Sequence, residues 1–198
     1  MHRSFAKNFA RRILSNGSQT RTVTRPCDVF ISHRGIDTKR GVAGLLYNHL
    51  TQLNIHPFLD SKNMSPGDKL FQEINNAIRS CKVGVAVFSP HYCDSYFCLH
   101  EIATIMEHKK KVIPIFVDIK PSELRVMDNG VYPAKDVQKF NLALEEVKHT
   151  VGLTFHSCNG DWSDLITSAS NIVMKSLSEV EEEGRKRRDR HKKTPILF

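Results

Sequence analysis

Several features that would assign a protein to a well-known class are missing from this 198-residue chain. No run approaches the roughly 18 apolar residues that a membrane-spanning helix needs, so no transmembrane segment is expected. No apolar core of roughly 7–15 residues, as in a secretory signal, is present near the N-terminus. The five cysteines are odd in number and include no CxxC pair, which argues against a disulfide framework or a zinc site. These absences favour a folded protein with reduced thiols in an intracellular compartment.

Acidic residues are absent from the first 26 positions, so the net charge of +8 is not evenly distributed along the chain. Residues 1–26 carry six basic residues, and residues 185–193 carry seven basic residues and one acid. The region between them, 27–184, has 16 basic and 20 acidic residues, a net charge of −4. The basic character therefore lies in the two ends, and it does not by itself predict a nucleic-acid-binding domain.

Each basic end has two interpretations. Residues 1–25 fit either a disordered basic arm or the amphipathic, Arg- and Ser-rich composition of an organelle transit sequence. Residues 181–198 form a charged, basic tail that is either merely solvated or suited to nuclear localisation, polyphosphate or anionic membranes. We therefore predict one folded domain at residues 26–180 and a cytoplasmic or nuclear location, with organelle targeting as the alternative.

Short apolar runs alternate with amphipathic segments from Cys27 onward. Helices are predicted at 42–53 and 70–78, around Glu101, and at 161–177, while the region 120–160 gives a less clear pattern. This alternation predicts a parallel sheet with helices on both faces, which is a doubly wound, flavodoxin-like α/β fold. The predicted strands are DVFIS (28–32), NIHPFLD (54–60), VGVAVFS (83–89) and KVIPIFVDI (111–119), with VKHTVGLTF (147–155) as a weaker fifth.

Common catalytic motifs are also missing. No phosphate-binding GxxxxGK[ST] or GxGxxG loop follows a strand, no GxSxG elbow occurs, and the ten histidines form no HExxH pair. The first strand ends in Ser32-His33-Arg34-Gly35, which suits an anion better than a magnesium ion. We identify no second acid that would complete a two-carboxylate glycosidase. No metal site is predicted.

One carboxylate, Glu101, remains as a catalytic candidate. It lies at the border of an apolar helical stripe, beyond a loop rich in Ser and aromatic residues. A single carboxylate is compatible with cleavage of a dinucleotide at its nicotinamide–ribose bond. Cationic nicotinamide leaves without acid catalysis, and the enzyme has only to stabilise an oxocarbenium-like centre. The alternatives from the residues alone are a solvated glutamate or a glutamate that interacts with the N-terminal dipole of its helix.

Four motifs in order resemble those of plant Toll/interleukin-1 receptor (TIR) domains. They are CDVFISHRGIDTKR, LDSKNMSPGDKLFQEINNAI, FSPHYCDSYFCLHEI and KVIPIFVDIKPSELR. The resemblance covers about residues 26–178 and suggests a plant TIR-only protein. It implies a flavodoxin-like three-layer sandwich with a five-stranded parallel sheet.

The resemblance further implies NAD⁺ nucleohydrolase and cyclase activity that produces nicotinamide, ADP-ribose and cyclic ADP-ribose isomers as plant immune and cell-death signals. NAD⁺ is then a substrate and no cofactor is expected; NADP⁺ and ATP-like nucleotides are further candidate substrates. Self-association through TIR–TIR contacts is expected, and nucleic acid is a candidate partner of the basic ends. The alternative is a non-catalytic adaptor that only docks other TIR domains.

By position in these motifs, the resemblance makes Glu101 the catalytic residue. The substrate-binding residues that it implies are His33, Arg34, Gly35, Asp60, Gly67, Ser89, Ser95, Phe97 and Cys98. His33 and Phe97 replace the usual Phe and Trp, and Pro66 replaces a common basic residue in the mobile loop. Other roles remain open, because Arg34 also fits a surface contact and either serine fits a helix cap. Cys98 also fits a small buried apolar residue, and Gly67 fits a simple turn.

Overall fold

Five parallel strands form the centre of the protein in a computed structural model that describes residues 27–126, 130 and 132–193, with the side chains of 191–193 excepted. The strand order is β2-β1-β3-β4-β5, and the flavodoxin-like five-stranded fold is confirmed. The strands are β1 (Val29–His33), β2 (Pro57–Phe58), β3 (Val83–Phe88), β4 (Lys111–Val117) and β5 (Leu153–Phe155).

Seven α-helices connect or follow these strands within the described residues. They are α1 (Gly35–Thr38), α2 (Val42–Gln52), α3 (Asp60–Asn63), α4 (Leu70–Ser80), α5 (Tyr96–Glu107), α6 (Ala134–Lys148) and α7 (Trp162–Lys193). Two 3₁₀ turns lie at Tyr92–Asp94 and Pro121–Glu123. Among the described residues, no helix is both long and apolar enough to cross a lipid bilayer.

The core has two parts, one on each face of the sheet. On one face, Ile74 of α4, Leu99 of α5 and Phe140 of α6 pack together. On the other face, Leu46 of α2 and Val173 of α7 pack against the opposite sides of the strands. Because both faces are covered, strands β1 and β3 are buried along their whole length. The sequence of β3 is a continuous apolar run, whereas β1 ends in the polar residues Ser32 and His33.

The structure adds to the sequence prediction in two places. Helix α6 occupies the region 120–160 in which no helix was predicted, and it leaves only Leu153–Phe155 of the run 147–155 to form β5. Helix α7 continues to Lys193, beyond the predicted end at 177 and through the predicted boundary at 180. The predicted N-terminal arm, residues 1–25, lies outside the described residues, so the limits of the domain stay a prediction.

Candidate active site

Several of the predicted site residues lie near the ends of β1 and β3. These strands are neighbours in the sheet, with Ser32 opposite Ala86 and His33 opposite Val87. The chain leaves β1 towards β2 on one side and reaches β3 on the other, so the strand order reverses at this point. In open α/β sheets, a crevice at the carboxyl ends of such strands is the usual ligand site.

Helix α5 carries Glu101 into this region. The helix begins after Ser95, whose Oγ accepts a hydrogen bond from the backbone N–H of Cys98 at 3.4 Å, so Ser95 acts as an N-cap. Glu101 is only 6% exposed, and the alternative of a solvated glutamate is wrong. Most residues of the helix from Cys98 to Ile105 are buried. The polar position of Glu101, at the edge of the apolar residues of this helix, is therefore also inside the protein.

The carboxylate of Glu101 has a short hydrogen bond to strand β1. Ser32 Oγ donates to Glu101 Oε2 at 2.6 Å, and Ser32 Oγ also lies 2.7 Å from the hydroxyl of Tyr92. Burial raises the pKa of Glu101 to about 8; the hydrogen bond from Ser32 opposes this shift, and the negative charge of Asp60 adds to it. Burial therefore makes Glu101 retain its proton to a higher pH than an exposed glutamate does.

His33 and Asp60 contact each other beside Glu101. The His33 ring is buried, and its Nε2 lies 3.4 Å from Asp60 Oδ1, while its Nδ1 lies 3.1 Å from the hydroxyl of Thr38. The hydrogen bond with His33 is the main cause that lowers the pKa of Asp60. The strand end and the start of the predicted mobile loop are therefore joined through two of the predicted site residues.

Two further predicted residues, Arg34 and Ser89, carry buried polar atoms that lack a hydrogen bond of normal geometry among the described residues. Arg34 occupies the N-cap position of α1, and its Nε is buried without a hydrogen-bond partner among the described residues. Ser89 directly follows β3, and its buried Oγ has no hydrogen bond of normal geometry in the described part of the chain, although it lies near enough to Asp37 to help lower the pKa of that carboxyl group. Gly35, at the start of α1, is exposed, with open space around its Cα. Buried polar groups in folded proteins usually have a hydrogen-bond partner.

The remaining predicted residues have separate positions. Cys98 is buried and its Sγ donates to the backbone carbonyl of His33 at 3.4 Å. Burial raises the pKa of Cys98 to about 12, so the thiol stays protonated. Gly67 lies in a turn in which Asp68 N–H donates to Ser65 O at 3.1 Å, with φ of 100° at the glycine. The structure gives Gly67 no contact with the residues around Glu101.

Phe97 is the exposed aromatic residue of the site. It precedes Glu101 by one helical turn, so the two side chains lie on the same side of α5. Phe97 is 40% exposed, and its ring centroid lies 5.0 Å from that of Phe71 on α4, which is 43% exposed. Together the two rings present an apolar surface near the carboxylate.

Sequence reasoning missed three residues that contact the predicted ones. Ser32 was considered only as part of an anion-binding run, although a serine in an otherwise apolar strand is a signal for a buried polar contact. Tyr92 and Phe71 gave no distinguishing signal, because their contacts depend on how the segments pack. Within the described residues, no group of three His, Cys, Asp or Glu side chains is arranged to hold a metal ion.

Comparison with known proteins identifies the family. The model of the TIR domain family matches residues 27–190. "Probable 2' cyclic ADP-D-ribose synthase BdTIR" of Brachypodium distachyon is 50% identical over 158 residues, which cover 78% of this chain and 70% of that protein. TMV resistance protein N of Nicotiana glutinosa is 34% identical over 141 residues, which cover 63% of this chain but 12% of that protein.

A solved structure agrees with these sequence relatives. The TIR domains of the activated Roq1 resistosome, which directly recognizes the pathogen effector XopQ, match with a TM-score of 0.66 and 32% identity. The match covers 74% of this chain and 99% of the solved chain. This protein belongs to the TIR domain family.

Proposed function

We propose that this protein is a self-associating NAD⁺ nucleohydrolase and cyclase. It cleaves the nicotinamide–ribose bond and releases nicotinamide with ADP-ribose and cyclic ADP-ribose isomers, which serve as plant immune and cell-death signals. The observation that carries the proposal is the buried carboxylate of Glu101, which is hydrogen-bonded to Ser32 near the carboxyl end of β1, in a chain that is 50% identical to a protein named as a probable cyclic ADP-ribose synthase.

Glu101 has the properties that this reaction needs. As nicotinamide leaves, the ribose ring develops positive charge, and a carboxylate shielded from water stabilises that charge strongly. The raised pKa of Glu101 does not prevent this role, because the nicotinamide ring is cationic and its arrival favours the ionised carboxylate. Since Glu101 is only 6% exposed, the residues that cover it have to move before the substrate reaches it.

The surrounding residues suit the other parts of NAD⁺. The buried Arg34 Nε and Ser89 Oγ, which lack hydrogen bonds of normal geometry among the described residues, are assigned to phosphate and ribose oxygens, and the exposed Gly35 leaves room for the substrate beside them. Phe97 is assigned to stacking on a ring of the dinucleotide. The other predicted binding residues affect the site indirectly. His33 and Cys98 pack beside it, and Ser95 caps the helix that carries Glu101. Asp60 begins the loop that contains the turn at Gly67.

Self-association follows from similarity to TIR domains solved within an assembled resistosome. NADP⁺ and ATP-like nucleotides remain candidate substrates, and nucleic acid remains a candidate partner of the basic residues on the last turns of α7. A cytoplasmic or nuclear location also stays a prediction.

The test is NAD⁺ consumption by concentrated purified protein, with the products separated by chromatography. The wild type is compared with Glu101→Gln and with Glu107→Gln, a matched control on an exposed part of the same helix. We expect nicotinamide release by the wild type and the control, and a loss of about 100-fold or more in Glu101→Gln. If the folded, self-associated wild type leaves NAD⁺ unchanged, the enzyme proposal is wrong and the adaptor function replaces it.

A further inference from the structure

Three buried oxygen-bearing groups form a continuous line behind Glu101. Glu101 Oε2 lies 2.6 Å from Ser32 Oγ, Ser32 Oγ lies 2.7 Å from the Tyr92 hydroxyl, and that hydroxyl lies 3.1 Å from the backbone carbonyl of Cys98. Ser32 and Tyr92 are completely buried. The line joins β1, the 3₁₀ turn after β3, and α5.

Counting hydrogens shows that this line has two complete arrangements. When Glu101 is neutral, its O–H donates to Ser32, Ser32 donates to Tyr92, and Tyr92 donates to the Cys98 carbonyl. When Glu101 is ionised, Tyr92 donates to Ser32 and Ser32 donates to the carboxylate. Each hydroxyl has one hydrogen and accepts with its lone pairs, so the two arrangements differ by the carboxyl proton of Glu101, which leaves to solvent, and by rotation of the Ser32 and Tyr92 O–H bonds.

We propose that Ser32 and Tyr92 are positioning residues that form a reversible hydroxyl relay, which holds the Glu101 carboxyl in one orientation in both of its protonation states. Its link to catalysis rests on the proposed function, because Glu101 has to be ionised when it stabilises the ribose cation. A carboxyl group that is held by the same two side chains before and after it ionises does not have to reorganise.

The hydrogen bond from the relay favours the ionised form of Glu101, whereas the other surroundings of this carboxyl group oppose its ionisation. Burial disfavours the carboxylate, and Asp60, from the start of α3, adds a like charge. Cys98 and Tyr92 face Glu101 as neutral groups, since burial raises the pKa of each. His33 lies next to Ser32 on β1 and contacts Asp60, and Arg34 follows it in the chain. Among these groups, Ser32 alone has a hydrogen bond to Glu101.

A purely structural role is the competing explanation. In that case the two hydroxyls only satisfy one another inside the core, and their loss lowers stability without changing the titration of Glu101. Tyr92→Phe keeps the buried ring, and Ser32→Ala removes a single oxygen. The effect on stability is therefore separable from the effect on Glu101.

The decisive experiment is an NMR titration of the Glu101 carboxyl carbon in protein with ¹³C-labelled glutamate. The resonance is assigned by its absence in Glu101→Gln. The full chain is titrated as wild type, Ser32→Ala and Tyr92→Phe. Ser170→Ala and Tyr96→Phe are matched controls, because these hydroxyls bond to His49 and Asp136 instead. We expect an upward shift of about one pH unit or more in Ser32→Ala, and a smaller upward shift in Tyr92→Phe.

Activity gives the second readout. At pH 7, Ser32→Ala is expected to reduce kcat/KM about tenfold, in proportion to the ionised Glu101 lost from the free enzyme. Equal titration curves for the wild type and both variants overturn the relay. The titration requires no NAD⁺, so an inactive wild type whose Glu101 titration still shifts in the variants would refute the proposed reaction and leave the relay in place.

Discussion

His33 Nε2 lies 3.4 Å from Asp60 Oδ1, and this contact joins the end of β1 to the first residue of α3. The His33 side chain is 3% exposed, whereas that of Asp60 is 47% exposed. Plant TIR motifs usually have Phe at the position of His33, which provides no hydrogen bond to Asp60. In this chain the aspartate at the base of the predicted mobile loop therefore has a partner that the usual motif lacks.

His33→Phe is expected to change how stability depends on pH. The folded protein lowers the pKa of Asp60, mainly through the hydrogen bond with His33. This contribution is present above the ordinary pKa of 3.8 and is lost as the pH falls through the lower folded value. As the pH falls from about 6 to 3, the free energy of unfolding should therefore decrease less in the variant than in the wild type. The difference should be below about 1 kcal/mol, because Asp60 is half exposed.

Urea unfolding from about pH 3 to 6 measures this difference, and Asp60→Asn supplies the control. Asp60→Asn should reduce the loss of unfolding free energy at low pH by a similar amount. The double variant should show no reduction beyond that of either single variant. Parallel pH profiles for the wild type and His33→Phe would show that the contact does not affect Asp60.

Glu101→Gln is expected to stabilise the protein at alkaline pH. Because burial raises the pKa of Glu101 from 4.5 to about 8, the folded protein retains a proton that the unfolded chain releases between these values. The contribution is present below pH 4.5 and is lost as the pH rises towards 8, at up to about 1.4 kcal/mol per pH unit. Glutamine stays neutral, so the variant should gain on the order of 2 kcal/mol relative to the wild type between pH 6 and 8.

Thermal unfolding across pH 5–9 tests this prediction. Glu107→Gln serves as the control, because Glu107 is exposed and pairs with Lys139 at the surface. A constant difference between wild type and Glu101→Gln at every pH would mean that Glu101 is already ionised in the folded protein.

The fold was predictable from sequence because burial on both faces makes strands visible as apolar runs. The run at 83–89 became β3, and the run at 111–119 became β4. Helix α6 was missed although Val137, Phe140 and Val147 give it a buried stripe, because exposed polar residues dominate the segment. Local pattern therefore predicts the elements well where a segment is enclosed and less well where it is half exposed.

The environment of Glu101 was not predictable in the same way. Its partner Ser32 lies 69 residues earlier in the chain, and both were visible only as members of separate motifs. The helical pattern placed the glutamate at the border of an apolar stripe but gave no information about what packs against that border. Such contacts arise when β1, the turn after β3, and α5 come together, so they require the tertiary structure.

Phe97→Ala is expected to weaken substrate binding. An aromatic ring that stacks on a nucleotide base contributes about 1–3 kcal/mol, which predicts a rise of roughly tenfold in KM for NAD⁺. Phe71→Ala should have a smaller effect in the same direction, because Phe71 supports the ring of Phe97 from 5.0 Å away. Steady-state kinetics measures both, with Val151→Ala as a control on an exposed apolar residue outside the aromatic pair. Unchanged KM in Phe97→Ala would remove the stacking role.

Gly67→Ala is expected to destabilise the loop between α3 and α4. Gly67 has φ of 100°, which L side chains rarely adopt, although no atom lies within 4 Å of the added Cβ. The cost is therefore conformational and amounts to about 1–2 kcal/mol. Gly35→Ala is the matched control, because its Cβ also meets no atom within 4 Å and its φ is not positive, so its effect on stability should be small. Urea unfolding measures the global cost, and hydrogen exchange at residues 65–70 measures local opening. Equal stability of the two variants would mean that the turn relaxes to a conformation with negative φ at no cost, and that Pro66 alone directs the chain here.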